Sequence, residues 1–264
     1  MSDGILWFSP LDTAAVEVLL CDADGNLFDS EEPAFEASTM VTNRLLAELG
    51  IDRMFVASEL RRRSMGKNFR AMAVELAAEA GTSIERESLE RWVLEERQSV
   101  VAHLASVLRP DGAVHGPLAG LAGRFRLAVV SSSALSRLAV CFTAAELDDL
   151  FPASVRYSAE DSLPVPTSKP DPAIYALAGR RLGVRGSAGL AVEDAAVGAR
   201  SAVAAGFPTV GNLQFVAPEE VEARVTALRE AGVCAIVPSW SHLAELLEVA
   251  TAADRPDRHR PPSP

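Results

Sequence analysis

Two carboxylates two positions apart, Asp22 and Asp24, stand where the apolar run Val16-Glu17-Val18-Leu19-Leu20-Cys21 gives way to Gly25-Asn26-Leu27. In a strand, residues i and i+2 point to the same side, so the pair can converge on one bound group. One carboxylate can then attack while the other handles protons, a division of labour that environment-tuned carboxylates allow. A plain strand-ending Asp-Gly turn with no chemistry is the competing reading of these residues alone.

Further polar groups follow other apolar runs. Arg126-Leu127-Ala128-Val129-Val130 reads as a strand ending in Ser131-Ser132-Ser133. Lys169-Pro170-Asp171-Pro172 opens a helix, its prolines suiting a loop and a first turn. Gly189-Leu190-Ala191-Val192 runs into Glu193-Asp194, and Ala195-Ala196-Val197-Gly198 starts another helix. In order, the chain supplies a carboxylate pair, a hydroxyl, a cation and an acidic pair. In an open parallel sheet ligands gather beyond the carboxyl ends of the strands, so these segments can share one crevice. Read separately, the serines can cap the following helix, a role assigned here to Ser133, and Glu193-Asp194 can favour a helix N-terminus.

Together these segments resemble the haloacid dehalogenase superfamily, in its phosphatase and beta-phosphoglucomutase-like branch. Asp22-Ala23-Asp24-Gly25 is similar to its first motif, Ser131 to the second, Lys169-Pro170 to the third, and Glu193-Asp194 with Gly198 to the fourth. The resemblance implies a Mg2+-dependent phosphatase acting on a small phosphomonoester, such as a phosphorylated sugar, through an aspartyl-phosphate. It makes Asp22 the nucleophile and Asp24 the acid and base; the Ser131 hydroxyl and Ser132 amide hold phosphoryl oxygens, and Lys169 offsets negative charge. Asp22, the Asp24 carbonyl and Asp194 become metal ligands, with Glu193 a further ligand or support. A phosphomutase is the alternative, and a non-catalytic binding protein of the same fold a more distant one. A carboxylate at Asp24 separates phosphatases and mutases from relatives resembling dehalogenases. Two departures stand out: Asn26 replaces the commoner Thr or Val, and Ala34 occupies the position of a mutase His.

Only two lysines occur, Lys67 and Lys169. Arginine meets nearly every other need for positive charge, so a compact ammonium at Lys169 points to a specific requirement. The segment Ser64-Met65-Gly66-Lys67-Asn68-Phe69-Arg70 is a Gly-centred break in a helical pattern. It resembles the family's specificity loop, which makes Lys67, Asn68 and Arg70 candidate substrate contacts; an exposed basic turn extending Arg61-Arg62-Arg63 is the alternative.

A net charge of -11 and a pI near 4.9 argue against nucleic-acid or anionic-membrane partners. No run reaches the ~18 apolar residues of a membrane span. The N-terminus carries Asp3 and no basic flank, and Cys21, Cys141 and Cys234 are scattered, so the expectation is a reduced, cytoplasmic protein. Oligomeric state is left open.

The periodicity predicts an α/β fold, a Rossmann-like doubly wound parallel sheet with an inserted helical cap. The core takes 1–30 and 110–251, the cap 31–109, and a disordered tail 252–264. Strands are expected near 16–21, 126–131, 154–157, 189–193, 208–210 and 233–237. Within the cap, Phe35, Met40, Leu45, Leu46 and Leu49 recur at helical spacing before a stop at Gly50. Ile5 to Phe8 are expected to pack on the surface or a partner.

Overall fold

A computed structural model describes residues 4–64 and 68–253, without the side chains of 64 and 248–253. The strands are β1 (Leu6–Trp7), β2 (Val18–Cys21), β3 (Arg126–Ser131), β4 (Arg156–Ser158), β5 (Gly189–Glu193), β6 (Thr209–Asn212) and β7 (Ala235–Val237). The helices are α1 (Glu31–Glu48), α2 (Ala57–Ser64), α3 (Phe69–Glu79), α4 (Arg86–Val107), α5 (Gly112–Ala122), α6 (Leu135–Ala144), α7 (Ala173–Leu182), α8 (Ala196–Ala204), α9 (Val221–Glu230) and α10 (Trp240–Ala253).

One sheet runs in the order β1-β7-β6-β5-β2-β3-β4, parallel except for the antiparallel β1–β7 pair. This is the expected α/β architecture, with the helical insert between β2 and β3. Val18, Leu19, Leu20 and Cys21 of β2 are fully buried, as a central parallel strand covered on both faces requires. On one face Val18, Leu20, Ala128, Val130 and Ala191 pack with Ile174, Tyr175 and Ala178 of α7 and with Phe207.

The chain divides into two compact units: residues up to Phe28 with those from Pro110 onward, and Asp29–Arg109. The second unit is all helical. Val41, Leu45, Ala73, Leu89 and Trp92 form one apolar cluster there, and Leu46, Phe55, Leu60, Met72 and Leu76 another. Asn43 fastens the α1–α2 connection by exchanging two hydrogen bonds of 2.9 Å with the Phe55 backbone.

Three local expectations change. Met40 is 55% exposed, because the buried stripe of α1 runs through Ser38, Val41, Thr42, Leu45 and Leu46 and a 100° step per residue turns Met40 away from it. The stretch 153–155 is a 3-10 turn, and the strand begins only at Arg156. Leu6 and Trp7 form a strand where none was expected, pairing with Ile236 and Ala235. A two-residue strand with both side chains exposed carries no alternation to read. The expected tail falls mostly outside the described residues, and 252–253 end α10.

Candidate active site

Register brings the polar strand ends together. Cys21 lies opposite Val129 on one side and Val192 on the other. Asp22 therefore leaves β2 level with the stretch of β3 that ends in Ser131 and the stretch of β5 that ends in Glu193. The Asp22 amide donates to Val192 O at 2.9 Å, continuing the ladder one residue past the strand.

The turn beyond it is closed tightly. Gly25 sits at φ +74, and a Cβ there would come 2.8 Å from Asp194 Oδ2, so only glycine suits both the left-handed backbone and the neighbouring carboxylate. Asn26, fully buried, donates to Asp22 O (3.0 Å) and Val192 O (3.1 Å) and accepts from Asn212 Nδ2 (2.9 Å). Trp240 of α10 donates its indole N–H to Asn26 O at 2.8 Å. Thr or Val could not make this set of bonds, so the departure at Asn26 has a structural reason.

Lys169 Nζ contacts Asp22 Oδ1 at 2.5 Å and Glu193 Oε1 at 2.6 Å, with 5% of its side chain exposed. Tyr175 OH also donates to Glu193 Oε1. The Lys169 amide donates to Ser132 Oγ at 3.1 Å, and Asp171, just before α7, accepts from Ala173 N at 2.8 Å. These bonds fix the loop that carries the ammonium. Burial pushes Glu193 up to about 7 and raises Asp22 as well, despite the opposing pull of Lys169. Burial alone would depress Lys169, but the carboxylates of Asp22 and Glu193 outweigh it and hold the ammonium charged.

Asp22, Glu193 and Asp194 are all buried and can each place one oxygen within 4.8 Å of the others. Against these three carboxylates stand Lys169 and Arg224, whose Nη1 donates to Asp194 Oδ2 (2.8 Å) and Asp194 O (2.9 Å). Burial raises both Asp22 and Glu193, with the charge of Asp24 adding to the first and that of Asp22 to the second; a further cation would relieve this, and an all-oxygen set suits a hard one such as Mg2+. The donor set therefore fits the metal that the sequence implied.

Asp24 takes different partners from Asp22. Its Oδ1 accepts from Arg137 Nη2 and its Oδ2 from Ser133 Oγ, both at 2.7 Å. Ser133 is thus not the helix cap expected of it; Asp161 caps α6 by accepting from Leu135 N at 2.6 Å. Ser131 Oγ accepts from Ser133 N at 3.0 Å.

Asp22, Asp24, Ser131, Ser132, Lys169, Glu193 and Asp194 thus lie around the C-terminal ends of β2, β3 and β5. Asn68 and Arg70 belong to the helical unit, and Lys67 lies outside the described residues. Asn68 caps α3, accepting from Ala71 N at 2.9 Å, and Arg70 makes a two-pronged exposed ion pair with Glu90 at 2.5 and 2.7 Å. Sequence reasoning missed Ser133, Arg137, Tyr175 and Arg224 as neighbours of the site. Arg137 had a faint local signal, one helical turn beyond Ser133; Arg224 had none.

The chain matches the family described as "Hydrolase: haloacid dehalogenase-like hydrolase" over residues 16–206. No curated protein matches it significantly. Among solved structures it is similar to a conserved haloacid dehalogenase-like protein of unknown function from Agrobacterium tumefaciens, with TM-score 0.68 and 24% identity over 90% of this chain and 100% of that one. A family hydrolase from Deinococcus radiodurans with bound phosphate and sodium gives TM-score 0.66 and 23% identity over 90% and 97% of the two chains. CbbY from Rhodobacter sphaeroides, a mutant in complex with xylulose-(1,5)bisphosphate, gives 0.65 and 23% over 86% and 96%.

Proposed function

We propose that this chain, which belongs to the haloacid dehalogenase-like hydrolases, is a phosphatase that transfers the phosphoryl group of a small phosphorylated metabolite to Asp22 and then to water. The observation that carries this reading is Lys169 bridging Asp22 and Glu193 beside Asp194, with Asp24 two residues beyond the nucleophile.

In the first step a carboxylate oxygen of Asp22 forms a bond to phosphorus and the ester P–O bond breaks. Asp24 gives its proton to the departing alkoxide. In the second step Asp24 takes a proton from water, the water oxygen bonds to phosphorus, and the bond to Asp22 breaks, releasing inorganic phosphate. Lys169 holds Asp22 in place and balances negative charge on the phosphoryl oxygens, and the Ser131 hydroxyl with the Ser132 amide orients those oxygens. Mg2+, held by Asp22, the Asp24 carbonyl and Asp194 with support from Glu193, would supply electrostatic stabilisation of the phosphoryl group.

Substrate choice we assign to the helical insert, with Lys67, Asn68 and Arg70 as candidate contacts. Arg70 would have to give up its two-pronged pair with Glu90 to reach substrate. A sugar-like phosphate is favoured by the CbbY complex with a sugar bisphosphate. A cytoplasmic setting accords with the free thiols of Cys21, Cys141 and Cys234. Among the described residues no helix is long and apolar enough to cross a membrane.

Mutase chemistry is the second reading, and Ala34 in place of a His weighs against it. Phosphorus NMR and colorimetric phosphate assays run together on a panel of sugar phosphates with Mg2+ separate the two. Stoichiometric inorganic phosphate is expected; isomerised sugar phosphate with little free phosphate, accelerated by a bisphosphate, would favour the mutase.

A further inference from the structure

Lys169 serves two of the three buried carboxylates, and the third is served from elsewhere. Asp194, with 5% of its side chain exposed, is gripped by Arg224 through both its Oδ2 and its own carbonyl oxygen. Arg224 sits on α9, and the match to the family ends at residue 206, so this contact comes from outside the segment that carries the family's motifs. Glu220, one turn earlier, lies 3.8 Å from Nη2 of the same guanidinium.

We infer that Arg224 is a positioning residue that holds Asp194 ready for a divalent cation. The inference rests on the proposed metal-dependent reading. Two bonds from one Nη1, to a main-chain oxygen and to a carboxylate oxygen of the same residue, fix the side chain relative to its own backbone. With one oxygen held, the orientation of the other is set too. Without that grip, repulsion from Asp22 and Glu193, each able to place an oxygen within 4.8 Å, would favour other rotamers. A guanidinium nearby also repels a second cation. With only 18% of the Arg224 side chain exposed that repulsion is little screened, so positioning and repulsion predict opposite changes in metal affinity when the guanidinium is removed. Residues that hydrogen-bond a ligating carboxylate are commonly worth about 10–100-fold in metal affinity.

The test uses the metal-free full-length protein and Mn2+ alone, which suits the same oxygen ligands, with free Mn2+ read by electron paramagnetic resonance and Mg2+ added as competitor. Arg224→Gln should weaken Mn2+ binding by about 10–100-fold. Its melting temperature in chelator reports any purely structural role separately. Arg224→Lys should lose severalfold, because the ammonium ends short of the Nη1 position, and it decides the matter alone should Arg224→Gln not fold. Wild-type or tighter Mn2+ affinity in the folded variants overturns the positioning role while leaving the metal-dependent reading intact. Absence of Mg2+-competable Mn2+ binding by the wild-type protein overturns both.

Discussion

Lys169 bonds two carboxylates at once because a compact ammonium can point separate hydrogens at Asp22 and Glu193. That requirement was readable from a sequence that uses lysine only twice, and the strand-end positions of Asp22 and Glu193 were readable from apolar runs. Asn26 and Arg224 were not, since their roles lie in contacts reaching 166 and 30 residues along the chain. Gly198 was legible as a motif residue, and the structure gives its reason: a Cβ there would overlap the Glu193 carboxylate. Gly198→Ala must therefore move Glu193 and, through it, Lys169. Overpacking should cost about 1–3 kcal/mol of stability. A displacement of reacting groups near 1 Å should lower kcat/KM by about a hundredfold. Steady-state phosphate release beside a denaturant melt checks both, and unchanged kcat/KM in the folded variant would contradict the proposed coupling.

At the scale of elements, the parallel core was legible because its strands are buried on both faces and read as short apolar runs between helices. What failed to show were features without periodicity: the short edge strand β1, the late start of β4, and the capping of α6 by Asp161. The start of β4 is held by Arg156, which is 7% exposed, donates to Phe151 O at 2.7 Å and stacks 4.2 Å from the Phe142 ring centroid. It also pairs with Asp148, at 2.5 Å. Burial would raise the Asp148 carboxyl, but hydrogen bonds from Arg156 and Thr143 and the charge of Arg156 bring it below the ordinary value. A depressed carboxylate stabilises the fold above its unfolded pKa of about 4, and that stability is lost as pH falls through the folded value. With Asp148 half exposed, screening limits the effect to about 0.2–1 kcal/mol. Urea melts should show Asp148→Asn less stable than wild type by that amount at pH 7, with the gap closing as pH drops below about 4. A gap that persists at low pH would mean that packing, rather than charge, is what Asp148 supplies.

Over the whole molecule, the proposed chemistry belongs to one unit and the proposed specificity to the other. Lys67→Ala should lower kcat/KM for the preferred sugar phosphate about tenfold or more while changing an aryl phosphate little, because an aryl leaving group asks for few contacts. Equal losses on both substrates would return Lys67 to a general electrostatic role. The central claim, that Asp22 carries the phosphoryl group between substrate and water, is tested most directly by trapping. Enzyme mixed with substrate and Mg2+, quenched in acid within one turnover and reduced with borohydride, should yield a peptide in which Asp22 has become homoserine, the reduction product of an aspartyl-phosphate. The modification should vanish without substrate. Steady phosphate release with Asp22 unmodified at every quench time would contradict the account.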